Sequence, residues 1–287
     1  MFRGPLPDVP NLFVHASVTR QGNQPISATG IGSIQQEAEL RHDGERAERV
    51  AQALGATPDT QDNVAISGMA AGRDDVTQIE TRAILELVER WTCLSWWAGT
   101  LLASKPSPAT NTAFATAAAH WKRRTPRQTG LLQLGQPQLP PTCVAWSCDQ
   151  TGRSLCFGAA CELDNSDAAT AALRELYQME FGLSVAQHRQ ASGVALSGFE
   201  QRVLDRAESL TIEEMSNHFD TNDHPENRFR GDVRAALADA GITLSVNRLA
   251  HLIDGHQIVT ATSADLAPLS QDKNQCNTAL RWNLYGA

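Results

Sequence analysis

Three stretches of the chain repeat one chemical phrase. Gly44-Glu45-Arg46-Ala47-Glu48-Arg49, Leu85-Glu86-Leu87-Val88-Glu89-Arg90 and Arg174-Glu175-Leu176-Tyr177-Gln178 each set two side-chain oxygen groups three residues apart. The first two stretches add an arginine directly after. Positions i and i+3 share one face of a helix, so each stretch offers two oxygen ligands side by side. Carboxylates collected from several helices suit a hard cation such as Mg²⁺, often shared with substrate phosphates. A single Glu-x-x-Glu-Arg is common on solvated helix faces. In the second stretch Glu86 and Glu89 even fall roughly opposite an apolar stripe of Ile84, Leu87, Val88 and Trp91. Three copies carry more weight than one, but periodicity alone does not make them converge.

The elements that must position these groups follow from the local pattern. A strand is expected over 12–19, then a loop to Gly30-Ile31-Gly32. Ser33-x-x-Gln36 reads as a capping box opening a helix to Leu54, ended by Gly55. Thr77-x-x-Glu80 reads as a second box opening a helix through Trp97. The segment 105–141 is rich in Pro, Gln and Thr and reads as a loop-rich excursion with one helical piece over 114–122. Apolar runs at 143–148 and 154–161 around Asp149-Gln150-Thr151-Gly152 read as a hairpin. Helices are expected over 166–181 and 197–216, a polar loop over 217–231, and a short helix ending at Gly241. Strands at 242–249 and 257–264 flank a turn at Asp254-Gly255. Helices mixed with hairpins imply an α/β or mixed α+β architecture, taken as a single domain over 1–287.

Several weaker groupings read as structure. Gly30-Ile31-Gly32 before a helix start can present backbone N–H groups to phosphate, but the third glycine of the dinucleotide fingerprint and a Gly-Lys-Ser/Thr loop are both lacking. Cys143, Cys148, Cys156 and Cys161 have no metal-type spacing and read as buried core thiols. His218 and His224 read as surface histidines. Lys122, Arg123, Arg124 and Arg127 read as a solvated basic loop. Trp91, Trp96 and Trp97 read as core.

Composition bounds the function classes. The 287 residues are 41% apolar and 20% charged, which excludes a disordered or fibrous chain. With 24 Lys+Arg against 32 Asp+Glu the net charge is −8, arguing against nucleic acid as a partner. No apolar run approaches the ~18 residues of a membrane span. Six cysteines without a Cys-x-x-Cys pair, behind a start that does not read as a secretory signal, imply a reduced, cytoplasmic setting.

Taken in order, these motifs resemble the YcaO family, enzymes that use ATP to activate backbone amides in ribosomal peptides. The resemblance spans about residues 26–270. It rests on Gly30-Ile31-Gly32 followed by Glu45, Glu48 and Arg49, and on Ser67-Gly68-Met69-Ala70-Ala71-Gly72 leading into Glu86-Leu87-Val88-Glu89-Arg90 and Trp96-Trp97. It continues with Ala172-Leu173-Arg174-Glu175 and Gln178, then the late strands and Leu266-Ala267-Pro268. The resemblance implies a YcaO-like fold with Glu45, Glu48, Glu86 and Glu89 as Mg²⁺ ligands around ATP phosphates. Arg49 and Arg90 would face phosphate charge, and Glu175 with Gln178 would complete the wall.

The implied activity is an ATP- and Mg²⁺-dependent cyclodehydratase forming thiazoline or oxazoline rings in a ribosomal precursor peptide. Its partners would be a leader-recognising protein, a flavin-dependent dehydrogenase, or both, in a hetero-oligomer. The chain departs from the family pattern at Ile31 (usually Lys), Arg41 (Ser), Ser67 (Asn), Gln78 (acidic) and Trp91 (Asp), and ends without a proline-rich tail. These departures keep open an alternative: a degenerate subunit that binds peptide or partner without hydrolysing ATP.

Overall fold

Three times the chain runs along a strand, turns within two or three residues, and returns as a helix lying across that strand. The computed structural model describes residues 1–22, 24–55, 66–73, 75–136, 138–216, 229 and 231–266. In chain order the elements are β1 (Phe2–Pro5), β2 (Phe13–Gln21), β3 (Gln24–Gly32), α1 (Gln35–Ala53), β4 (Ser67–Gly72), α2 (Val76–Trp97), α3 (Pro108–Trp121), β5 (Gln128–Leu134), β6 (Thr142–Cys148), β7 (Cys156–Cys161), α4 (Asn165–Ala191), α5 (Gly198–Ser209), α6 (Ile212–Ser216), α7 (Val233–Asp239), β8 (Ser245–Arg248) and β9 (Gln257–Thr262). They form three antiparallel three-stranded sheets ordered β1-β2-β3, β4-β9-β8 and β5-β6-β7. Helix α1 packs on β3, α2 on β4 and β9, and α4 on β7 and β6. This is the mixed α/β architecture expected.

One glycine sets each crossing. A Cβ at Gly30 would collide with the backbone of Ala38 and His42, one at Gly68 with Ala83 and Leu87, and one at Gly158 with Ala172 and Leu176. Each helix therefore meets its strand at backbone contact, which only a residue without a side chain permits. Below the crossings lie apolar clusters. Val14 and Ile31 of the first sheet pack with Leu173 and Leu176 of α4. Ile84, Leu87, Val88 and Trp91 pack with Val259 and Ala261. Cys93 and Trp96 pack with Val144 and Phe157.

The glycine-bearing strands share a second property: β3, β4 and β7 are all edge strands of their sheets. Their outward N–H groups need acceptors, because a buried unpaired N–H costs about as much as a lost hydrogen bond.

Several local expectations are corrected. Gly30 and Gly32 lie in β3, opposite His15 and Phe13 of β2, and not in a phosphate-type loop. The N-cap of α1 is Ile34, without a side-chain cap, and the Ser33 N–H instead donates to Glu37 (2.8 Å), which reaches back from the first turn. Helix α2 opens at Asp75, whose carboxylate accepts from the Thr77 N–H (3.1 Å), while Glu80 turns away to Arg234 (2.6 Å) and Arg248 (2.7 Å). Helix α4 runs to Ala191, about ten residues further than its sequence pattern suggests, and 197–216 breaks into α5 and α6. The segment 105–141 holds α3 and the edge strand β5. Arg123 and Arg127 are not in a solvated loop: Arg123 donates to Glu180 (2.6 Å) and Arg127 to Ser147 (3.1 Å), largely out of water. Cys93, Cys143, Cys148, Cys156 and Cys161 are buried and in no disulfide, and burial pushes Cys143 and Cys156 up to about 12. His218, His224, Cys276 and nearly all of the 217–231 loop lie outside the described residues.

The crossings give a direct test. Gly68→Ala forces a methyl into the backbone of α2 and is expected to lower unfolding free energy by about 3 kcal/mol. Gly182→Ala, in α4 with nothing within 4 Å of the added carbon, is expected to raise it by roughly 0.5–1 kcal/mol. Urea unfolding midpoints of the two variants check both signs.

Candidate active site

The open edges of β4 and β7 select the carboxylates that face the centre. The Met69 N–H donates to Glu86 Oε2 (2.8 Å) and the Ala71 N–H to Glu48 Oε1 (2.8 Å). These N–H groups are two residues apart, so both leave the same edge of β4. One carboxylate comes from α2 and the other from α1. The Cys161 N–H at the end of β7 donates to Glu89 Oε2 (3.0 Å). Each bond uses one oxygen of its carboxylate and fixes the direction of the other.

The remaining predicted residues gather around this core. Glu45 accepts from Arg49 Nε (2.8 Å), and Glu86 also pairs with Arg90. Arg90 Nη1 donates to the Ser67 carbonyl (2.8 Å), so the backbone, not the residue 67 side chain, holds that arginine. Glu175 is half-buried on α4, within the field of Glu45 and Glu86. Gln178 is half-buried one turn further along the same helix. The structure thus brings together Glu45, Glu48, Glu86 and Glu175 from three helices, with Arg49 and Arg90 beside them. Glu89 is turned to the edge of β7.

This crowding shows in the acid–base behaviour. Burial, then the charges of Glu45 and Glu86, push Glu48 well above the usual carboxylate range. Burial also raises Glu86, against the opposing pull of Arg90. Burial raises Glu175, with Arg174 and Arg41 pulling the other way. Glu45 in turn raises Arg49, partly offset by burial. Buried carboxylates that destabilise one another's charge are a donor set that a divalent cation relieves.

Among the described residues no three His, Cys, Asp or Glu side chains form a ready-made metal cage. Mg²⁺ does not require one: it is usually held by one or two carboxylates, with phosphate oxygens and water completing the octahedron. The donors present therefore fit Mg²⁺ shared with a phosphate ligand. They do not fit a cation held by protein alone.

Sequence reasoning named these eight residues and, of the neighbouring trio Glu37, Arg41 and Arg174 that the structure pairs, singled out Arg41 alone, as a departure from the family pattern. Arg41 lies one turn before Glu45, and Arg174 directly precedes Glu175, so spacing from the named glutamates was the available signal. The departures also acquire places. Ile31 is buried in the apolar cluster under α4, so its side chain does not enter the acidic centre. Trp91 is buried in the α2 cluster and Gln78 is exposed.

The raised carboxyls set the sign of a pH response. A carboxyl whose folded pKa lies above its unfolded value of about 4.5 binds more protons in the folded state, so stability falls as pH rises above that value. In the metal-free protein Glu48→Gln, which keeps an amide oxygen for the Ala71 N–H, is expected to raise the melting temperature at pH 8. At pH 4 the gain should shrink. Calorimetric melts at both pH values decide.

Comparison with known proteins agrees with this geometry. A family model described as YcaO cyclodehydratase, ATP- and Mg²⁺-binding, matches residues 44–258. No curated protein matches the sequence. Among solved structures, the fold is similar to YcaO from Methanopyrus kandleri bound with AMPPCP and Mg²⁺, at 14% identity over 96% of this chain and 87% of that one, with a TM-score of 0.61. It is also similar to a chain of the E. coli microcin synthetase McbBCD complex, at 9% identity, 88% and 87% coverage and a TM-score of 0.56. A heterocyclase in complex with substrate and cofactor matches at 19% identity with a TM-score of 0.51, over 68% of this chain but 27% of its own length. At these identities the structural likeness speaks for the fold, and the matched family model covers most of the chain. The chain belongs to the YcaO family of ATP- and Mg²⁺-binding cyclodehydratases.

Proposed function

We propose that this chain, as a single YcaO-like domain, is the ATP- and Mg²⁺-dependent subunit that activates backbone amides of a ribosomal precursor peptide to form thiazoline or oxazoline rings. The observation that carries the reading is the meeting of Glu45, Glu48, Glu86 and Glu175 from three helices, with Glu48, Glu86 and Glu175 all raised by burial. The β4 edge uses one oxygen of Glu48 and one of Glu86, and a bound cation would relieve the repulsion left among the gathered carboxylates.

ATP with Mg²⁺ supplies the phosphoryl group that turns a poor leaving group, the amide oxygen, into phosphate. The residues of the chain do the rest. The β4 edge orients Glu48 so that its second oxygen can bind the cation, and Glu86, whose second oxygen pairs with Arg90, would exchange that partner for the cation, with Glu45 beside them. Arg49 and Arg90 are held by Glu45 and by the Ser67 carbonyl at positions suited to phosphate oxygens. Protons carried on the raised carboxyls leave as the cation enters, so binding should release protons. Charge developing on the amide oxygen would meet fixed cations that need no reorganisation.

The microcin synthetase with a similar fold is a multi-protein complex, and the similar heterocyclase holds its substrate. These support a peptide substrate and a hetero-oligomeric setting, with a leader-recognising protein, a flavin-dependent dehydrogenase, or both. Among the described residues no helix is long and apolar enough to cross a membrane, and the cytoplasm is the proposed location. A second reading, a subunit that binds peptide or partner without hydrolysing ATP, is favoured by one observation: Glu45 and Glu86 are both already paired with arginines.

Titration calorimetry with AMPPCP, with and without Mg²⁺, separates the two. The catalytic reading expects Mg²⁺-dependent binding that Glu48→Gln and Glu86→Gln each weaken by about tenfold or more, as loss of a metal-site carboxylate does. Binding that ignores Mg²⁺, or that survives both changes, sinks it. Binding measured in two buffers of different ionisation enthalpy should also show proton release, and the release should drop in Glu48→Gln.

A further inference from the structure

The three units place equivalent backbone donors around the centre, and one corner differs from the other two. Counting from the crossing glycines Gly30, Gly68 and Gly158, the third residue on is Ser33, Ala71 or Cys161. Each N–H donates to a carboxylate: Ser33 to Glu37, Ala71 to Glu48, Cys161 to Glu89. At Ala71 and Cys161 the carboxylate arrives from the helix of the preceding unit. At Ser33 it comes from the same helix, four residues on, as though a local side chain had filled a place meant for something else.

Two arginines, Arg41 and Arg174, join the carboxylates Glu37, Glu162 and Glu175 at that corner. The position on α1 that corresponds to Glu86 and Glu175, three residues after the first helical contact of the crossing glycine, is Arg41. Arg41 Nε donates to Glu37 Oε1 (3.1 Å), and Arg174 Nη1 approaches the same oxygen at 3.8 Å from α4. Arg174 is poorly served there: its side chain is 15% exposed, and its Nε is buried with no acceptor among the described residues. Burial, then the nearby Arg41, make its charge harder to hold. Glu37 is held below the usual carboxylate range, because the Ser33 N–H and Arg41 outweigh its burial. One carboxylate thus sits between two guanidinium groups and a backbone N–H, a donor set that matches a phosphoryl group better than a single carboxylate. Glu175 links this corner to the acidic centre, since it lies in the fields of Arg174, Arg41, Glu45 and Glu86 together.

We propose that Arg41, Arg174 and the Ser33 N–H form a phosphoryl seat at the α1–α4 corner, and that Glu37 is its built-in occupant, displaced when a phosphoryl ligand binds. The inference rests on the nucleotide reading for the identity of the natural ligand, a nucleoside triphosphate tail, but the seat itself is defined by phosphoryl chemistry. Arg41 then supplies cationic charge from α1, while the residue between the two glycines, Ile31, faces the core.

The test uses the full chain and three probes: Mg²⁺·AMPPCP, inorganic pyrophosphate and AMP, titrated by calorimetry into wild type, Glu37→Gln, Arg41→Ala and the double variant. Gln retains an amide oxygen for the Ser33 N–H but gives up the charge that competes for the arginines. Glu37→Gln is expected to bind Mg²⁺·AMPPCP and pyrophosphate about fivefold tighter than wild type and to leave AMP unchanged. Arg41→Ala should weaken both by about fivefold, and in the double variant the gain from Glu37→Gln should vanish, because the competitor acts through Arg41. Unchanged or weaker binding by Glu37→Gln, with an unaltered melting temperature, overturns the inference. Should that variant melt early, Arg174→Lys is the second arm: weakened pyrophosphate binding supports the seat, and unchanged binding overturns it. If wild type shows Mg²⁺-dependent AMPPCP binding that Glu37→Gln does not alter, the seat fails and the nucleotide reading stands. If AMPPCP does not bind but pyrophosphate follows the expected pattern, the seat stands and the nucleotide reading fails.

Discussion

The arrangement depends on what becomes of the open edges of β4 and β7. An edge strand covered by protein must find acceptors for its outward N–H groups, and here the acceptors are glutamates: Glu86 and Glu48 for Met69 and Ala71 of β4, and Glu89 for Cys161 of β7. That one solution serves fold and function together. It closes the sheets without strand–strand pairing, and it draws carboxylates from α1 and α2 inward with one oxygen of each fixed on a backbone N–H. The cost is buried negative charge, which Arg49 and Arg90 only partly offset.

The glycine crossings make this possible. Were α2 lifted from β4 by the thickness of a methyl group, Glu86 would be carried away from the Met69 N–H. The charge is also distributed unevenly. The α1–α2 side gathers Glu45, Glu48 and Glu86, whereas the α1–α4 corner adds Arg41 and Arg174 to its carboxylates, which the proposed function would use for a cation and for an anion respectively. A magnesium nucleotide has this polarity, with the metal at one end of the contact and phosphoryl oxygens at the other.

Much of this was legible in the order of residues. The paired glutamates lie on three helices that form about where periodicity places them, because apolar stripes such as Ile84, Leu87, Val88 and Trp91 specify which face is buried. The 143–161 hairpin was also visible, through its turn residues and apolar runs. Boundaries were less so. The ends of α4, the break at Leu210 and the strand β5 depend on partners distant in sequence. The capping boxes failed because Glu37 and Asp75 offered their backbone donors a closer acceptor.

The sequence by itself determined the donor types, their i, i+3 spacing and the glycines ahead of each helix, since these are local properties of composition and helical period. Only the tertiary structure decided that Glu86 and Glu48 meet on one strand edge and that Glu89 turns to β7. It alone decided that Arg41 pairs with Glu37 near Arg174 and that Ile31 is buried in the core. Each of these depends on which way a strand edge faces and on how close a helix lies to it. Both are set by packing between units far apart in the chain, and no periodicity within one helix can encode them.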